Sequence, residues 1–85
     1  MKDWKIYYTA IPKKDFITGK AVLPEDAKIY EVWDNDYKDI FRASYSEEFR
    51  DFGEESGIIM NISTWHTVIN DEIVYLSNVT RYREI

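Results

Sequence analysis

Residues 34–53 read Asp-Asn-Asp-Tyr-Lys-Asp-Ile-Phe-Arg-Ala-Ser-Tyr-Ser-Glu-Glu-Phe-Arg-Asp-Phe-Gly, and how this stretch folds decides the architecture. Tyr37, Ile40, Phe41, Ser44, Tyr45, Glu48, Phe49 and Phe52 recur at steps of three and four, the spacing of one helical face. Asp34, Asn35 and Asp36 can accept the unpaired amides of a first turn, and their charges suit the positive end of a helix dipole. Gly53 stands just past the last apolar residue, where a left-handed cap is wanted. The pattern predicts an amphipathic helix over about 36–52. A rival reading turns a hairpin at Asp34-Asn35-Asp36 and starts a short helix at Ser44 with a capping box to Glu47. The long helix is preferred because residues 38–43 alternate poorly.

On either side the chain favours strands. Residues 4–11 are β-branched and aromatic and stop at Pro12. Residues 12–26 carry Pro12, Gly19 and Pro24 and read as a connection. Pro24, Glu25 and Asp26 suit a helix start, but residues 27–33 alternate in strand-favouring types and are read as a strand. Residues 58–62, 64–69, 72–76 and 79–85 are strand-like, with Asn70-Asp71 as a two-residue turn. The fold expected is therefore α+β, one domain over residues 1–85: an antiparallel sheet of about four to six strands, with the acidic helix packed on one face. The carboxyl-terminal strands are expected to form a meander.

The chain is 45% hydrophobic and 16% aromatic, enough to build a core without staples. It has no cysteine, which excludes disulfides, thiolate nucleophiles and zinc–thiolate sites and favours a reducing, cytoplasmic setting. No run approaches the ~20 apolar residues of a membrane span, and no signal peptide is visible. The net charge is −5, and it is unevenly spread. Residues 31–55 hold nine acidic and three basic groups, a local −6 that leaves +1 for the rest. Direct binding of nucleic acid would need the opposite sign.

The motifs that carry chemistry are missing. His66 is the only histidine and has no orienting neighbour, so an enzyme built on it is the least favoured reading. Counted from Asp34 as a calcium loop, the fifth, sixth and twelfth positions are Lys38, Asp39 and Tyr45, which fail the pattern. Gly19, Gly53 and Gly57 are too far apart to form a phosphate loop. No cofactor or metal is expected.

The candidate binding surface is the acidic helix with aromatics beside it: Asp36, Asp39, Glu47, Glu48, Asp51, Glu54 and Glu55, with Trp33, Tyr37 and Tyr45. Carboxylates beside exposed rings suit a non-enzymatic module that docks a basic protein, including a nucleic-acid-binding enzyme blocked by a phosphate mimic. An accessory protein that self-associates through a strand edge is the alternative. Lys5, Arg81 and Arg83 would form a positive patch if the terminal strands are neighbours, with Tyr7, Tyr8 and Tyr82 as stacking groups.

Overall fold

A computed structural model describes residues 3–53 and 55–85. Among the described residues nine strands carry the fold: β1 (Lys5–Ile6), β2 (Ala10–Pro12), β3 (Ile29–Asp34), β4 (Asp39–Ser46), β5 (Phe49–Asp51), β6 (Ile58–Asn61), β7 (Thr64–Ile69), β8 (Glu72–Leu76) and β9 (Val79–Arg83). One five-residue helix, α1 (Lys13–Ile17), follows β2. The strands form a six-stranded antiparallel sheet in the order β1-β9-β3-β4-β7-β8 and a three-stranded sheet in the order β2-β6-β5.

The α+β expectation is corrected here. Residues 36–52 form no helix: Asp39–Ser46 and Phe49–Asp51 are strands, and the fold is mainly β. The helical spacing arises because β4 places an apolar residue on its outward face directly beside those of its core face. Phe41, Ala43 and Tyr45 turn toward the core, while Ile40 turns outward. Adjacent pairs such as Ile40–Phe41 then mimic steps of three and four. The aspartates do satisfy a turn's amides, but the turn is that of the β3–β4 hairpin. Asp34, fully buried, accepts from Asp36 N (3.1 Å) and Tyr37 N (2.8 Å) through one oxygen. Its other oxygen accepts from Asn78 N at 3.2 Å.

One antiparallel register runs through both sheets. It pairs Ser44 with His66 and Ser46 with Thr64 in the large sheet, then Phe49 with Asn61 and Asp51 with Ile59 in the small one. Between them Ile62 N donates to Glu48 O at 3.0 Å. Residues 44–51 and 59–66 are thus one long ribbon, bent where Glu47 and Glu48 interrupt it. Beyond the bend the ribbon gains β2 as a third strand. α1 lies against it, with Phe16 edge-on to Phe49 at 4.9 Å and Lys13 paired to Asp51 at 3.0 Å.

The large sheet is rolled. Only Ser77 and Asn78 separate β8 from β9, so Leu76 and Val79 lie at most ~11 Å apart. A flat sheet would set those strands four spacings apart, about 19 Å. The ring of Trp65 on β7 lies 6.1 Å from that of Tyr82 on β9, which requires the same curl. The expected carboxyl-terminal meander is therefore incomplete: β7 and β8 pair, whereas β9 crosses to lie between β1 and β3. Inside the roll sit Tyr30, Val32, Ala43, Tyr45, Trp65, Leu76, Val79 and Tyr82, with Tyr7 packed against them. Tyr7 meets Tyr45, Trp65 and Tyr82 edge-on at 6.1, 5.4 and 6.4 Å, the geometry aromatic quadrupoles favour.

Candidate functional site

Each strand of the roll has a second face, which points to solvent. Cross-strand pairs place Trp33 beside Ile40 and Arg81, Glu31 beside Arg42 and Arg83, and Ile29 beside Ser44. Ser44 pairs with His66, His66 with Tyr75, and Val68 with Ile73. The face is therefore an apolar field with arginines set in it. Ile6, Ile29, Ile40, Val68, Ile73, Tyr75 and Ile85 are all exposed; Val68, Ile73 and Tyr75 are 64%, 66% and 68% exposed. A strand face turned to water normally carries polar residues.

The relief of this face comes from local departures in the sheet. The β4–β7 ladder ends at Ser44–His66. Past it, the Thr67 hydroxyl donates to Arg42 O at 2.6 Å where a main-chain amide would otherwise reach. A shallow groove lies there, lined by Ile29, Ile40, Arg42, His66, Val68 and Ile85 among others. A second depression adjoins it through Ile40 and is walled by Trp4, Trp33 and Arg81.

The electrostatics oppose those of the whole chain. Among the described residues of β3, β4 and β9, Arg42, Arg81 and Arg83 share the face with Glu31. Arg83 is committed: its Nε donates to Glu31 at 2.9 Å, and its guanidinium lies 4.2 Å from the Trp4 ring centre. Arg42 and Arg81 have no ion pair among the described residues. The face thus carries +2 in a chain of −5, and everything else sums to −7.

The residues expected to form the site are dispersed. Asp36, Tyr37 and Asp39 sit at the β3–β4 hairpin tip, Glu47 and Glu48 at the ribbon bend, Asp51 at the end of β5, and Glu55 in the turn after it. The eight residues of β4 hold the tip and the bend about 25 Å apart. Glu54 lies outside the described residues. Tyr45 is fully buried in the core and cannot touch a partner. Trp33 alone of the expected residues belongs to the apolar face. The terminal strands are neighbours, since Lys5 faces Tyr82 and Ile6 faces Arg81. Tyr82 is nevertheless buried, so it offers no stacking surface.

Sequence reasoning passed over Arg42, Val68, Ile73 and Tyr75. The available signal was that β8 is apolar at four consecutive positions, Ile73-Val74-Tyr75-Leu76, as a strand contacted on both faces would be.

Burial pushes Tyr82 up to about 12, and it likewise pushes Tyr7 and Tyr45 above the usual phenol range. Among the described residues no cluster of three or more histidine or carboxylate groups could hold a metal ion, and no helix is long and apolar enough to cross a membrane. No protein-family model, curated protein or solved structure matches the chain.

Proposed function

We propose that this chain is a non-enzymatic protein-binding module, and that the exterior face of its rolled sheet docks a partner whose apolar surface is bordered by carboxylates. The observation behind this reading is the exposed apolar field around Arg42 and Arg81. Burying it would give the hydrophobic gain, and the two guanidinium groups, without an ion pair among the described residues, would select acidic over basic partners. The −7 spread over the rest of the chain would repel such a partner from every other approach, so that encounter is steered to this face.

Isoleucine and valine outnumber Trp4, Trp33 and Tyr75 on the face and argue for a protein rather than a nucleic acid, because aliphatic side chains give bases no stacking surface. Two copies of this chain meeting face to face would bring arginines onto arginines. Asp36, Asp39, Glu47, Glu48 and Asp51 repel and orient in this reading; they are not the contact. The lack of cysteine fits a cytoplasmic setting.

Panning a displayed random-peptide library against the chain tests the reading. Enriched peptides should combine Asp or Glu with large apolar residues, and added salt should weaken them. Arg42→Glu and Arg81→Glu should each reduce binding by roughly tenfold or more. Enrichment of basic peptides, or binding indifferent to both reversals, would overturn it. A single-stranded oligonucleotide bound with the same arginine dependence would reassign the face to nucleic acid.

A further inference from the structure

The roll is not closed. Its six strands end in β1 on one side and β8 on the other, so two edges remain. The edges differ in how they are guarded. β1 is two residues long and includes Lys5, the short and charged form that discourages pairing. β8 is five residues, Glu-Ile-Val-Tyr-Leu, with neither lysine nor proline, and its register with β7 runs unbroken from Ile69–Glu72 to Trp65–Leu76.

Hairpin geometry shows which main-chain groups that edge offers. Asn70 and Asp71 both have positive φ, 51° and 64°, as a two-residue type I′ turn requires. In such a hairpin the flanking residues, Ile69 and Glu72, exchange both hydrogen bonds, and alternate pairs follow. Glu72, Val74 and Leu76 therefore direct their N–H and C=O groups to β7. Ile73 and Tyr75 direct theirs away, to the open edge. Their side chains are also well exposed.

We infer that β8 pairs antiparallel with β8 of a second copy, about a two-fold axis at Val74. That register is self-complementary. Ile73 falls opposite the partner's Tyr75 and Tyr75 opposite the partner's Ile73, and both are outward-facing, hydrogen-bonding positions. The four main-chain bonds this allows use every free group on the strand. The side chains pair likewise, each isoleucine against a tyrosine ring, a favourable cross-strand combination. Glu72, the only charge on the strand, falls opposite the partner's Leu76, so no like charges are apposed. The two exterior faces become continuous across the join, and one dimer presents two docking surfaces side by side. This goes beyond the docking reading and does not rest on it, because it uses the edge of the sheet and not the arginines.

Light scattering coupled to size-exclusion chromatography, run over a concentration series, tests the pairing. The mass should rise from one chain, 10.2 kDa, toward twice that value. Ile73→Lys places a charge at the join, and Tyr75→Pro removes an edge donor without touching the β7 ladder. Each should raise the dimer dissociation constant by roughly tenfold or more. Arg42→Glu and Arg81→Glu should leave it unchanged. Hydrogen exchange at the Ile73 and Tyr75 amides should slow with concentration in the parent chain and stay fast in Ile73→Lys. A one-chain mass at every concentration overturns the inference. So does a dimer that survives Ile73→Lys with those two amides still exchanging fast.

Discussion

The hydroxyl of Tyr45 donates to Oδ1 of Asn61 at 3.0 Å, and this bond joins the interior of the rolled sheet to the small one. Tyr45 is on β4 and Asn61 on β6. Ser63 Oγ stands 2.9 Å from the same hydroxyl, and Asn61 Nδ2 donates to Tyr8 O at 3.2 Å. Tyr45→Phe keeps the ring and removes the link. The expected cost is about 1–2 kcal/mol in chemical denaturation. Amide protection should fall in β2, β5 and β6 while β3 keeps its own. Uniform loss across both sheets would contradict this.

Asp34 gathers three main-chain amides from two different turns, those of Asp36, Tyr37 and Asn78. Asp34→Ala strands all three and should cost about 2–4 kcal/mol, since hydrogen bonds to a charged acceptor are the stronger kind. Asp34→Asn retains one acceptor oxygen and should fall between the two. Equal stability of the alanine and asparagine variants would show that the amides find water instead.

Raised phenol pKa values make stability depend on alkaline pH. Tyr82, Tyr7 and Tyr45 release protons more readily when unfolded than when folded. Their contribution is complete below the unfolded tyrosine value, about 10, and is lost as pH rises toward the folded values, about 12 for Tyr82. Absorbance at 295 nm should show these three phenolates forming together with the loss of near-ultraviolet circular dichroism. Full ionisation of all seven tyrosines in a chain that remains folded would refute this.

At the other end of the scale, the Gly53 amide and then Lys13 hold the Asp51 carboxyl below its usual range. Their favourable interaction is present above the unfolded value and disappears as pH falls through the folded one. Following the Gly53 amide by NMR through an acid titration reports the group directly. Lys13→Gln should raise the midpoint only part of the way, because the amide contributes more. Complete return to an ordinary carboxylate midpoint would reverse that order.

Exposed apolar residues separate docking from folding. Val68→Thr and Ile40→Thr alter exposed side chains outside the core cluster and keep a β-branched residue in the strand, so stability should change by no more than about 0.5 kcal/mol. Peptide capture should nevertheless fall. A matching drop in stability would mean that these side chains serve the fold.

What the sequence revealed depends on how many faces each strand buries. Thr64–Ile69, the Asn70-Asp71 turn and Glu72–Leu76 were legible to the residue, because the turn dipeptide fixes both strands around it. Residues 36–52 were not, because Ile40 on the outside and Phe41 on the inside follow one another directly, which erases a period of two. Asp34 is legible as an amide acceptor, but the preferred helix gives it the wrong turn and the rival hairpin at Asp34-Asn35-Asp36 the right one, because the same side-chain chemistry serves a helix start and a hairpin. The arginine-bearing face could not be seen before topology brought β3, β4, β7 and β9 together. Charge counted along the chain gives −6 for residues 31–55, yet Arg42 in that interval belongs to a positive surface.

The position of β9 between β1 and β3 sets an order in time as well as in space. Among the described strands β1 has no partner until β9, the last of them, arrives, so Lys5 and Ile6 must wait, uncommitted, while the long ribbon zips from its local turns. Contacts between such distant parts of a sequence are the slow ones to form. The docking of β1 should therefore follow that of β9 on β3, and the β1 amides should gain protection later than those of the long ribbon in pulse-labelled refolding.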